Sequence, residues 1–458
     1  MHYRVVPRQP LFLGALDLAS ETRDFDLIVI GNGSAGDNIA RTLGRKGLRV
    51  ALIEKSHLGG ECLNDGCVPS KALIDISKHA AEQGLSWKAV VARVDAIQLL
   101  VRGSDPSGGF GKDGVELFWG EARFREHGRV EVEGLVLSAK VIVIATGTAP
   151  ALPPIAGLFE AKPQTNRTIF TLPRFPAKLA VIGGGSIGLE LGQSFLRLGA
   201  DVMLFEVADR IAATEEAEVS RELAKLLERD GMRVETEAKI ARIDRAKDGS
   251  VTIETGKGSF EFDELLVAAG RTPQVPEGLA ELGVERDERG FISISPCGKT
   301  NVEGIWAAGD ITGKFQFTHY ASYQAHHIAR HIERGACEPI PDNVVPWAIF
   351  TVPEVGHAGV TEQEAREAGL EVRIGRLNAA DFDWFRTTSQ PDGFAKVVVD
   401  ANTGVLIGAH FLCARGSTLV GEACLAIQNG LTARQVAETI HPYPTASELF
   451  RWTCAKAM

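Results

Sequence analysis

The chain has 458 residues, 49 of them glycine, with an apolar fraction of 45% and a formal net charge of −10. That length exceeds what a single core holds and implies two or three domains. The acidic balance, with no basic stretch to follow a phosphate backbone, argues against nucleic acid as a partner, and no run of 18 apolar residues is present to cross a membrane.

The opening segment, MHYRVVPRQPLFLGALDLAS, holds a short apolar patch that Asp17 interrupts. Residues 1–24 therefore read as an extension and not as a secretory signal. FDLIVI (25–30) then predicts a strand, GNGSAG a glycine turn, NIARTLGRKG a helix and LRVALIEK a second strand. The same order returns at 179–206 in LAVIGGGSIG, LELGQSFLRLG and ADVMLFE, so two βαβ units of dinucleotide type are expected. KVIVIATGTAP (140–150), ELLVAAGRTP (264–273) and GIWAAGD (304–310) each read as a strand ending in a glycine turn, the last followed by a helix from about Tyr320 to Arg334. From about Pro341 the texture changes. VPWAIFTVPEVGHAGV, EVRIGRL, GFAKVVVD and GVLIGAHFL predict an antiparallel sheet, flanked by helices in TEQEAREAG and GEACLAIQNG.

The motifs carry the chemistry. Gly31, Gly33 and Gly36 form GxGxxG directly after a strand. The first glycine permits the tight turn, the second lets a pyrophosphate approach the backbone, and the third lets helix and strand pack closely. Glu54 ends the next strand, where a ribose hydroxyl needs an acceptor. Gly183, Gly185 and Gly188 repeat the pattern, with Glu206 as the terminal acid. A carboxylate there accepts from a 2′-hydroxyl and repels a 2′-phosphate, and the nearest arginine is Arg210, so NADH is favoured over NADPH.

The seven cysteines are too few and too scattered for a secreted disulfide scaffold. Two of them, Cys62 and Cys67, lie in GGECLNDGCVPSK. A regular helix puts residues five apart about 8–9 Å from one another on diverging faces, too far for a disulfide. A bond therefore needs a break in the helix, and Asn64, Asp65 and Gly66 lie between them to permit one. A redox pair is the favoured reading. Two core thiols and a metal site are the alternatives, and no second Cys or His pair is at hand to complete the metal site.

In this pattern of GxGxxG, GGxCxxxGCxPSK, ATG, a second GxGxxG, GRTP, AAGD and PTxxE, the chain resembles the class I flavoprotein disulfide reductases from about Asp24 to Trp452. That family includes dihydrolipoyl dehydrogenase, glutathione reductase and mercuric ion reductase. The resemblance implies an α/β protein with two Rossmann-like domains, for FAD and NAD, and a C-terminal α+β dimerisation domain. The implied boundaries are 25–155 and 276–340 for the FAD domain, 156–275 for the NAD(P) domain and 341–458 for the interface domain. It also implies a cytoplasmic homodimer.

Roles follow by matching position. FAD would lie on Gly31, Gly33, Gly36 and Glu54, with Gly60, Thr146, Gly147, Gly270, Arg271, Asp310, Thr318 and His319 at positions near it. Gly183, Gly185, Gly188 and Glu206 would take the nicotinamide nucleotide. Lys71 and Glu190 match an ion pair beside the flavin. Cys67 would be the thiolate stacked on the flavin, and Cys62 the outer thiol that exchanges with a small or lipoyl-type disulfide.

The departures concern the acid–base group. The family's HPTxxE motif reads HPYPTASE here, so Pro444, Thr445 and Glu448 match, Tyr443 stands at the His position and His441 lies two residues earlier. A tyrosine is a poor base for a dithiol. Mercuric reductases carry Tyr in this region, which makes a soft metal ion the second candidate acceptor and a quinone or oxygen the third. Against the metal, the vicinal Cys pair that ends those enzymes is missing, and Cys454 stands alone. Against glutathione reductase, Ser186 replaces the nicotinamide-gating Tyr. Trp384 and Phe385 read as core packing before cleft lining.

Overall fold

In the computed structural model, residues 22–103 and 109–458 are described; most of the expected extension at 1–24 lies outside them. The chain divides into two compact units. One takes in the described residues up to Leu58, then 109–147 and 273–338. The other takes in 59–103, 148–272 and 339–458.

The first unit is built on a seven-stranded sheet. Strands Val115–Trp119, Val50–Glu54, Thr22–Ile30 and Leu135–Ile144 run parallel in that order. Their interior residues are apolar and β-branched, as a sheet covered on both faces requires. The first strand starts three residues earlier than the sequence pattern alone indicates. Leu135–Ile144 is shared along its length. Its first half pairs antiparallel with Arg129–Val132, and its second half pairs parallel with Ile305–Ala307. The register aligns Ile30 with Ile53 and Ile144, and Ile144 with Ala307. Gly31, Glu54, Ala145–Gly147 and Ala308–Asp310 therefore all leave the sheet at one carboxyl edge, where open α/β sheets place their ligands. Helices Ser34–Gly44 and Thr318–Arg334 pack together beside it, with Gly309 held between Ala35 and Ala321.

The second unit repeats the device. Strands Arg233–Glu235, Asp201–Phe205, Lys178–Ile182 and Glu264–Val267 form a parallel sheet. Ile182 aligns with Phe205 and Val267, so Gly183, Glu206 and Ala268–Gly270 share an edge. A three-stranded antiparallel sheet (Ile240–Arg245, Val251–Thr255, Gly258–Phe262) lies in the same unit. Pro339–Met458 adds the expected antiparallel sheet, in the order Trp347–Ile349, Glu354–Gly359, Leu406–Cys413, Phe394–Asp400, Val372–Asn378. Helices Gly416–Gln428 and Ser447–Lys456 close its core around Phe385, Phe411 and Phe450. Each such side chain, fully removed from water, contributes about 1.5–3 kcal/mol. Phe385 is thus a core residue, as expected, with Trp384 packed edge-on against it.

Candidate active site

Each glycine turn works by close approach. Gly31 has φ +99°, and a Cβ there would lie 2.5 Å from Ala145 O. A Cβ on Gly36 would collide with Gly31 O, so only glycine lets the helix start against the strand. Gly33 is different: a Cβ there would meet nothing within 4 Å, and it opens the helix as an extended N-cap with no side chain capping it. The free amides of that helix start are an anion site. Glu54 orients the turn, accepting from Asn32 N at 2.8 Å and Ser56 N at 2.7 Å. A carboxylate has about four acceptor sites, so capacity remains for a hydroxyl. On the same edge the Thr146 hydroxyl is buried without any hydrogen-bond partner. Gln274 secures the loop by bonding Gly147 O and Thr146 O. An orphaned hydroxyl, open space at Gly33 and a retained carboxylate fit an ADP-bearing cofactor such as FAD. Gln324 holds Gly309 N at 2.7 Å, which fixes the turn that carries Asp310. His319 stacks on Phe317 at the start of the following helix, which begins at Thr318.

In the second unit, Gly183 (φ +111°), Gly185 and Gly188 repeat each of these relations, with Ala268 O in the role of Ala145 O. Glu206 accepts from Gly184 N at 2.5 Å and Ala208 N at 2.7 Å. Arg210 donates to Ala213 O at 2.8 Å.

The cysteine segment belongs to this unit. Gly59 and Gly60 both have positive φ (+85° and +60°) and open the short helix Gly60–Asn64. That helix stops at Asp65, and Cys67–Gln83 starts anew, so the two cysteines lie in separate helices. The chain doubles back between them: a Cβ on Gly66 would lie 3.0 Å from Glu61 O and 3.2 Å from Cys62 Cα. Cys62 is half-buried and Cys67 exposed. The loop is clamped from several sides. Glu61 pairs with Arg271, whose Nε donates to Thr148 Oγ1 at 2.6 Å. Asn166 donates to Glu61 and, at 3.0 Å, to Asp65 O. Gln98 donates to Leu63 O and Asn64 O at 3.1 and 2.7 Å, and Arg102 to Asn64 Oδ1 at 2.7 Å. One turn into the second helix, Lys71 Nζ meets Glu190 Oε2 at 2.7 Å. Phe350 covers that pair, its ring 4.5 Å from the ammonium and its amide donating to Glu190 Oε1 at 2.9 Å. Glu61, Asn166, Gln98, Arg102 and Phe350 escaped sequence reading because each acts across a long separation.

At the C-terminal end of the chain the structure reorganises the expected acid–base group. Tyr443 donates to Asp383 Oδ2 at 2.7 Å. That bond, with the carboxylate's charge, raises the phenol above its usual pKa and makes it a still poorer base. His441 sets Nδ1 against Thr439 O at 2.9 Å and Nε2 against Glu422 Oε1 at 2.6 Å. Its carboxylate partner is thus Glu422, while Glu448 opens the terminal helix. Cys454, the lone cysteine near the C-terminal end, is fully buried in that helix's apolar face and its thiol pKa is pushed up by desolvation, so it is a core thiol and is not exposed to exchange. Its apolar neighbours Leu449, Phe450 and Ala457 recur at helical spacing, which was the signal for a core position.

A sequence profile described as Pyridine nucleotide-disulphide oxidoreductase matches residues 25–325, and the dimerisation domain of the same family matches 345–454. The chain belongs to the pyridine nucleotide-disulphide oxidoreductases. It is 34% identical over 442 residues to a mercuric reductase of Lysinibacillus sphaericus, covering 93% of this chain and 81% of that protein. It is equally 34% identical, over 447 residues, to a dihydrolipoyl dehydrogenase of Chlamydia pneumoniae, covering 94% and 96%. Among solved structures it resembles the HOCl-induced flavoprotein disulfide reductase RclA from Escherichia coli, with a TM-score of 0.88 and 27% identity, over 94% of this chain and 99% of that one. This oxidoreductase is accordingly an FAD- and pyridine nucleotide-dependent enzyme of that fold, and its dimerisation domain supports a homodimer. Among the described residues no helix is long and apolar enough to cross a membrane.

Proposed function

We propose that this oxidoreductase takes electrons from NADH and delivers them through a Cys62–Cys67 disulfide to a small or lipoyl-type disulfide. The observation that carries the reading is the doubled-back segment that brings Gly66 against Cys62 Cα. It provides the helix break that a bond between these two cysteines requires. When bound, FAD supplies the two-electron relay between nicotinamide and disulfide. The chain's own residues do the rest. The glycine turns and helix starts at Gly31–Gly36 and Gly183–Gly188 bind the pyrophosphates. Glu206 favours NADH, because its anchored carboxylate repels a 2′-phosphate while Arg210 is engaged with Ala213 O. Lys71, held by Glu190 and Phe350, supplies a fixed positive charge one helical turn from Cys67, which favours its thiolate. Cys62 then attacks the acceptor. His441 with Glu422, carried to the partner subunit's site by the dimer, is the proton-handling pair. Ile440 and Tyr443 leave exposed apolar surface beside it for a second copy to cover. The domain limits 25–155 with 276–340, 156–275 and 341–458 and a cytoplasmic location belong to the same proposal.

A second reading, reduction of a soft metal ion, is favoured by one observation: Tyr443 is bound to Asp383 as a donor, and a dithiol captures such an ion without a base. Anaerobic titration with NADH separates the two. A long-wavelength thiolate–flavin band is expected, with continued NADH oxidation on adding lipoamide and not on adding Hg(II). The reverse selects the metal. Direct bleaching with no such band, and full turnover by a Cys62→Ser protein, would overturn both in favour of a quinone-type acceptor.

A further inference from the structure

The described residues contain one disulfide, and it joins Cys297 to Cys337, 40 positions apart with Cα atoms 5.2 Å from each other. Neither cysteine has a part in the chemistry above. The two sulfurs differ in setting. Cys337 is exposed, on the segment that follows helix Thr318–Arg334 and its left-handed cap at Gly335. Cys297 is 1% exposed, packed in a loop beside His331, whose Nδ1 lies 3.3 Å from Cys297 O. Its own sulfur lies 3.4 Å from Ser295 Oγ.

We infer that Cys297–Cys337 is a second thiol-exchange site, open to external thiols at Cys337 alone. An incoming thiolate needs an accessible sulfur and a leaving sulfur that tolerates charge. Cys337 Sγ is the accessible one. Cys297 Sγ is the leaving one, and the Ser295 hydroxyl 3.4 Å away, which donates to Lys299 O at 3.1 Å, turns to donate to it as negative charge develops. The step balances with a monothiol such as glutathione. Its thiolate forms a bond to Cys337 Sγ, the Cys297–Cys337 bond breaks, and the electron pair goes to Cys297, which takes a proton. A second thiol attacks the mixed disulfide and leaves Cys337 reduced and the external pair oxidised. Opening the bond unties the loop at 295–299 from the exit of helix Thr318–Arg334, leaving His331 as a remaining link.

The test uses the native holoenzyme, exposed to graded glutathione, quenched with alkylating reagent and mapped by peptide mass spectrometry. The glutathione adduct is expected on Cys337 and not on Cys297. Ser295→Ala is expected to slow adduct formation about tenfold, and a Cys62→Ser, Cys67→Ser double variant to leave it unchanged, which separates this site from the proposed redox pair. Cys337→Ser should keep flavin reduction by NADH at its usual rate. An adduct on Cys297, an unaltered rate in Ser295→Ala, or exchange only after denaturation overturns the inference.

Discussion

The two glycine turns share nearly every backbone relation, yet the helices that follow them do different work. Helix Ser34–Gly44 is amphipathic, and its charged pair, Asp37 with a half-buried Arg41, stays within its own unit, where Arg41 also meets Asp113. Helix Ser186–Arg197 is buried continuously from Gly188 to Phe195, including the polar Glu190, Gln193 and Ser194. Glu190 holds Lys71 and Phe350, and Gln193 makes reciprocal 2.8 Å bonds with the backbone of Val352. The turn is therefore a reusable phosphate cradle. The helix behind it is free to diverge, and in the second copy it has become the post to which the cysteine helix and the dimerisation sheet are fastened.

The contrast can be broken most forcefully at Glu190. Glu190→Ala removes a buried carboxylate and leaves the Phe350 amide without its acceptor, while the partly exposed Lys71 can turn to water, and should cost about 1–3 kcal/mol in denaturant unfolding. The matching change on the first helix, Asp37→Ala, should cost about 0.2–1 kcal/mol because Asp37 is partly exposed and Arg41 keeps Asp113 as a partner. Equal losses would erase the distinction.

The second effect concerns acid. Beside the start of helix Ala217–Arg229, Glu215 bonds His357 and Trp347, and Glu216 and Glu362 hold Lys396. His410, edge-on to His357 and buried, has its pKa lowered to about 4 by desolvation and by that neighbour. An unfolded histidine titrates near 6.5, so between these values the unfolded state binds more protons. The neutral His410 thus contributes stability above about pH 6.5 that is lost as pH falls toward 4, on the order of 2–3 kcal/mol. Glu362 and Glu364, both lowered, act in the same direction. Thermal unfolding of wild type against His410→Gln from pH 7 to 4.5 checks it: the slope should flatten in the variant.

Smaller still is the split between the turns themselves. Gly36→Ala and Gly188→Ala each force a methyl against a carbonyl, at about 1–3 kcal/mol. The first should lower flavin content. The second should raise the KM for NADH about tenfold with flavin content intact. If both variants lose flavin, the assignment of one turn to each nucleotide fails. The least effect is expected from Glu206→Ala, which should narrow the preference for NADH over NADPH about tenfold, read from kcat/KM for each.

The glycine turns were legible because everything they need lies within about 30 residues: strand, spacing and terminal acid. The antiparallel C-terminal sheet was legible from alternation. What escaped depends on tertiary meeting. Glu61 finds Arg271, His441 finds Glu422, and Cys297 finds Cys337 only after folding. Glu61 in particular occupies a position the cysteine motif leaves open, so no local pattern marks it. Cys454 was a different case. The apolar stripe of Leu449, Phe450, Cys454 and Ala457 is present in the letters, but its ten-residue helix is too short for periodicity alone to separate a core helix from a solvated end.

The shared strand Leu135–Ile144 also sets a timetable for synthesis. Its inner neighbour, Ile305–Ala307, is encoded beyond the whole inserted parallel sheet. On a ribosome adding about 5–20 residues per second, roughly ten to thirty seconds pass between the emergence of Ile142 and that of its pairing partner. Throughout that interval the half-finished sheet carries a bare hydrophobic edge. A nascent chain stalled before Ala307 is therefore the species on which chaperones should be found, and the inserted unit is the portion of the enzyme that has the chance to finish folding first.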